Sequence, residues 1–151
     1  AFPLVFALLA SVQALAAFTN SRLVEKHGMR RVSHAALLVF CAGSLGLVAA
    51  AFFEPPLVIF AGLLAVVFFA FGLLMPNFNA IAMQPVGPVA GTASSFIGFY
   101  TTAAGAILGW AIGAHFDGTV LPLATGFAVL GCAALGTVLF VERKRGLFRG
   151  D

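Results

Sequence analysis

Half of the lysines and arginines in this sequence fall within ten residues. Arg22, Lys26, Arg30 and Arg31 lie in the stretch RLVEKHGMRRVSH, with Glu25 among them and Gly28 at its centre. Such a cluster can hold a loop on one side of a membrane, and its charges can pair with one another or with helix ends. Elsewhere, groups able to do chemistry are sparse. Gln13, Asn77 and Asn79 are amides inside long apolar runs. An unpaired amide in lipid costs several kcal/mol, so each needs an interhelical partner or a polar ligand. Pro76 frees a carbonyl one turn earlier, near Gly72, for such a group. No Asp or Glu lies inside an apolar run, although intramembrane carboxylates are the usual proton carriers. There is no nucleophile–base pair, phosphate loop or metal-ligand spacing. Cys41 and Cys132 read as small buried apolar residues. His27, His34 and His115 read as solvated or interfacial. These features argue against an enzyme and against any metal or cofactor.

The elements that must carry these residues follow from composition. The chain is 62% hydrophobic and 9% charged, with a mean hydropathy of +1.09. A soluble domain is nearer half apolar and a quarter charged, so this chain needs a lipid bilayer as solvent. Positions 1–21, 32–53, 55–116 and 118–141 contain no Asp, Glu, Lys or Arg. A spanning helix takes roughly 20 apolar residues, so the long third run must hold two. QPVGPVAG, Gln84 to Gly91, divides it with two prolines and glycines. The expectation is an all-α membrane protein with five spans, at about 2–20, 34–53, 57–82, 92–114 and 120–141. Pro76 should kink the third span rather than stop it. A signal peptide is the alternative for the first run, but no cation precedes it. The preferred reading is a chain that begins inside a longer protein.

Five spans put the first loop (21–33), the third loop (83–91) and the tail from Glu142 on one side. All eight cations then fall there, and the positive-inside rule makes that side the cytoplasm. The net charge of +3 therefore sits at membrane edges and is no nucleic-acid signal.

The fourth span is the most patterned. Gly91, Gly98, Gly105, Gly109 and Gly113 fall in a narrow arc at 100° per residue. Small residues let a neighbouring helix approach closely in lipid. The stripe is either a static packing face or a sliding surface. Phe96, Tyr100 and Ile107 lie opposite, with Trp110 at the flank, as lipid contacts or as an aromatic wall for an apolar ligand.

SRLVEKHGMRR resembles the cytoplasmic-loop signature of the major facilitator superfamily. Glu25 stands at its acidic position, Lys26 at the next basic one, Gly28 at the central glycine, and Arg30 and Arg31 at the basic end; Ser21 and Met29 depart from it. MPNFNAIAMQPVGPVAGTASSFIGF looks like the segment joining helices ten and eleven of bicyclomycin-resistance-like drug:proton antiporters. The matching residues are Pro76-Asn77, Pro85-Val86-Gly87 and Ala90 to Ser95. The resemblance covers essentially the whole chain, as helices eight to twelve of twelve. It implies part of a carboxy-terminal six-helix bundle in a bacterial inner-membrane efflux pump. Such a pump exchanges small amphipathic compounds for protons by alternating access, together with an amino-terminal half. The resemblance makes Gln13, Asn77, Asn79, Phe96 and Tyr100 cavity candidates. Another major-facilitator metabolite transporter, or a non-transporting membrane scaffold, are the alternatives.

Overall fold

The computed structural model describes residues 2–53 and 56–143. Glu54 and the tail cations Lys144, Arg145 and Arg149 lie outside the described residues. Within them there is no strand. Five α-helices follow in order: α1 (Phe2–His27), α2 (Met29–Phe52), α3 (Leu57–Met83), α4 (Ala90–Ala114) and α5 (Leu121–Glu142), with a 3-10 segment, Gln84–Val89, joining α3 to α4.

Four continuous helical stretches are long and apolar enough to cross a membrane: Pro3–His27, Met29–Phe52, Leu57–Ala114 and Leu121–Glu142. This is the character of a multi-pass membrane protein. The third stretch contains both α3 and α4, so the expected loop at Gln84–Gly91 is itself helical. A 3-10 turn tolerates Pro85 and Pro88 because it is short and loosely bonded. The backbone leaves helical values only at Val86 (φ −112°, ψ 20°) and Val89 (φ −122°, ψ 27°). The chain bends here, because Asn79, Ala80 and Met83 share one cleft with Ser94, Ile97 and Gly98.

The first connection is shorter than the sequence suggests. Residues 21–27 continue α1, and α2 begins at Met29. The expected thirteen-residue loop is a one-residue break at Gly28. The span expected at 34–53 accordingly starts five residues earlier. α3 continues through Pro76 to Met83, so the proline is no stop.

α2 and α3 pack along their length, α5 lies against α2, and α1 against α3. Leu37, Phe40, Leu47, Val67, Ala70, Leu73 and Ala124 are buried where they meet. Three glycines allow the close approach. A methyl group on Gly43 would lie 2.9 Å from Val67, one on Gly72 2.6 Å from Ala16, and one on Gly131 2.9 Å from the Phe40 ring. Phe127 of α5 meets Phe40 and Phe68 edge to face, each at 6.2 Å between ring centres. α4 differs: it has no buried residue.

Candidate functional site

The polar groups gather at one end of the bundle, where the α1–α2 turn, the end of α3 and the end of α5 meet. Gly28 makes the turn with φ 81° and ψ 153°, a region that only glycine occupies without strain. A methyl group there would touch nothing within 4 Å, so the requirement is conformational rather than spatial. The Gly28 N–H donates to the Val24 carbonyl at 2.9 Å, and the Val32 N–H donates to the Gly28 carbonyl at 3.3 Å. Both helices therefore keep their hydrogen bonding up to the break.

Arg30, two residues on, donates to Glu142 at the end of α5 at 2.5 Å. The two side chains are 19% and 12% exposed. A half-desolvated charge pair is held more firmly than a surface one. Glu25 and Lys26 are exposed, as are Arg31 and His27. The acidic partner of the motif's Arg30 is thus a residue 112 positions away, and not Glu25.

One layer deeper, Asn77 is 2% exposed and Asn20 9%. They form a reciprocal amide pair: Asn20 Nδ2 donates to Asn77 Oδ1 at 3.1 Å, and Asn77 Nδ2 donates to Asn20 Oδ1 at 2.8 Å. Each amide satisfies the other, which is what an apolar surrounding demands. One turn further in, Gln13 and Ala16 cover Gly72. A methyl group on Gly72 would meet Gln13 Oε1 at 2.8 Å. Gly72 is the residue whose carbonyl loses its helical donor to Pro76. Gln13, Ala16, Asn20, Gly72 and Asn77 thus form one α1–α3 seam. Asn20 escapes a reading by spans, because it falls at the expected end of the first one.

The other candidates lie apart. Asn79 is exposed and faces the cleft towards Ser94 and Gly98. Phe96 is 69% exposed and Tyr100 64%. A methyl group on Gly91, Gly98, Gly105, Gly109 or Gly113 would meet nothing within 4 Å. Within the described residues, no side chain closes over the stripe, and the aromatic wall is exposed. Gln13 and Asn77 do not share a cavity with Phe96 or Tyr100.

Two other expectations change. His34 is 5% exposed, held between α2 and α5 beside Leu37, Leu135 and Val138, because α2 starts a turn before it. Cys132 is exposed while Cys41 is buried. His115 stays at a helix end, its Nδ1 2.7 Å from the Ala111 carbonyl.

At the opposite end, Asp117 organises the α4–α5 turn with Gly118 at φ 89°. Its Oδ1 accepts from the Thr119 hydroxyl at 2.7 Å and the Thr119 N–H at 3.0 Å. These hydrogen bonds hold its carboxyl below the usual carboxylate value. No group of three or more His, Cys, Asp or Glu that would hold a metal occurs among the described residues. No protein-family model matches the sequence, and neither a curated protein nor a solved structure matches it significantly.

Proposed function

We propose that this chain is the five-span carboxy-terminal part of a major-facilitator multidrug efflux transporter. In that reading it exchanges small amphipathic compounds for protons by alternating access in a bacterial inner membrane. The observation that carries the reading is the motif-like turn. SRLVEKHGMRR is built as helix, glycine, helix, with Gly28 in a glycine-only conformation and Arg30 tied to the end of another helix. A cluster that served only to hold a loop in the cytoplasm would need neither.

The Arg30–Glu142 pair also supports five crossings. It brings the start of α2 and the end of α5 together. Three further crossings after α2 begins at that face, making four from Met29 onward, return the chain to it; three in all would leave Glu142 on the far face. The Asn20–Asn77 pair likewise aligns the carboxy-terminal portions of α1 and α3. The cationic face is then the cytoplasmic one. Rocking of two bundles about a midplane site is the mechanism that this architecture serves. Proton-carrying carboxylates would come from the amino-terminal half.

The test is efflux of a fluorescent amphipathic cation from cells expressing the full-length transporter, with and without a protonophore. Gly28→Asp and Arg30→Glu are expected to lose most efflux while membrane levels hold. Arg30→Glu combined with Glu142→Arg is expected to recover a large part of it. Normal efflux from both single variants would reduce the turn to a topology signal.

A further inference from the structure

The flank of the bundle below the cationic turn carries a groove of about 370 Å³ between α1, α2 and α3. Its chemistry is divided along its length. His27 and Arg31 stand at its mouth, and its floor is apolar, built from Val32, Ala36, Phe69 and Leu73 among others. No acidic residue lines it. We propose that this groove seats an anionic glycerophospholipid, with the phosphate at His27 and Arg31 and one acyl chain on the apolar floor.

Three observations converge on that occupant. The first is charge: the mouth is cationic, and Lys26 adds a third basic side chain beside His27 on an exposed turn. Basic pockets between spanning helices on the cytoplasmic side are suited to anionic headgroups. The second is length. From Arg31 to Val39 the α2 wall advances by eight residue steps, about 12 Å at 1.5 Å per residue. That approaches the depth of one leaflet, half of a hydrocarbon core of roughly 30 Å. The third is depth: Val39 of α2 and Phe69 of α3 sit at the middles of their helices. The groove therefore runs from the membrane edge to the midplane and ends there. A second groove, between α2, α3 and α5, is lined by Phe68, Phe71, Phe78 and other apolar residues only, and offers no group to fix a headgroup.

The test uses the full chain, reconstituted in vesicles of equal phosphatidylglycerol and phosphatidylcholine, then extracted gently and weighed by native mass spectrometry. The wild type is expected to retain phosphatidylglycerol over phosphatidylcholine by about tenfold, the scale set by one to two cations at a membrane surface. Ala35→Phe fills the groove from its exposed rim and is expected to abolish retention. Ala49→Phe, on the exposed surface of the same helix in the other leaflet, is expected to retain lipid as the wild type does. Arg31→Gln with His27→Gln keeps the groove's shape and is expected to bind both lipids equally; it carries the test should Ala35→Phe fail to fold. Equal retention of the two lipids by the wild type would overturn the proposal. So would undiminished retention in Ala35→Phe, or a bound second copy of the chain or non-lipid compound in place of the phospholipid.

Discussion

α3 and α4 are consecutive, similar in length and both strongly apolar, yet they are packed in opposite ways. α3 buries Leu64, Val67, Ala70, Gly72, Leu73, Leu74 and Asn77 against its neighbours. α4 buries nothing. α4 nevertheless has the more regular small-residue pattern, with five glycines on one face. The glycines that are in use, Gly43, Gly72, Gly126 and Gly131, are spread over three helices, and each faces a specific side chain. α4 touches α5 chiefly through its own Ile112, which fills the space above Gly126, 2.6 Å from where a methyl group there would sit. Close packing in lipid depends on a matched knob for each notch. A stripe of notches that no side chain among the described residues enters remains open.

This contrast can be broken or sharpened by mutation. The largest effect is expected at Gly72. Gly72→Leu drives a side chain into Ala16 and Gln13 and should destabilise the bundle by about 3 kcal/mol, the upper range for overpacking. Gly105→Leu on α4 should cost nothing measurable in the same unfolding titration in mixed micelles. Equal losses would mean that the two faces are not different in kind.

The amide pair comes next. Asn77→Leu leaves Asn20 buried without a partner and should cost about 1–2 kcal/mol. Adding Asn20→Leu should return most of it, since replacing both partners by apolar groups is nearly neutral. Asn79→Leu, beside the α4 cleft, should be silent. A double variant no better than Asn77→Leu would show that the pair does more than satisfy itself. Arg30→Gln should cost about 1 kcal/mol, with a coupling to Glu142→Gln that shrinks as salt is raised.

The smallest effect is expected at the exposed α4–α5 turn. Asp117 has its carboxyl held below its ordinary value of 3.8 by the Thr119 hydroxyl and then the Thr119 N–H. A depressed carboxyl stabilises the fold above its unfolded value. That contribution is lost as pH falls below 3.8 towards the folded value. Asp117→Asn should therefore lower stability slightly at pH 5 and above and converge with the wild type as pH falls below 3.8, flattening the acid limb of the curve, as read by thermal unfolding from pH 7 to 2.5.

Much of the fold was legible in the sequence because lipid imposes a single rule, long apolar helices with polar breaks. The starts of α3 and α5 and the passage of α3 through Pro76 follow from it. The breaks were less legible. Charge at Arg22–His27 reads as a loop, but charged residues form helix readily, and the helix stops only where Gly28 takes a dihedral pair closed to other residues. The prolines of Gln84–Val89 read as a loop too, and are absorbed by a 3-10 turn. Of the site, Asn77 and Arg30 stood out by type. Their partners Asn20 and Glu142 did not, since a long-range pair is invisible until the helices are laid side by side. Nothing local in Phe96 or Tyr100 distinguishes a ring facing lipid from one facing a cavity.

The most direct test of the account is which face of the membrane each turn reaches. Single cysteines are placed at Lys26, Val89 and Arg143, and at Phe53 and Thr119, in a background without Cys41 and Cys132. They are then labelled with a membrane-impermeant maleimide in right-side-out and inverted vesicles. Five crossings with a cationic cytoplasmic face predict that the first three label only from the cytoplasmic side and the last two only from outside. Labelling of Val89 from the same side as Phe53 and Thr119, or of Lys26 and Arg143 from opposite sides, would contradict it.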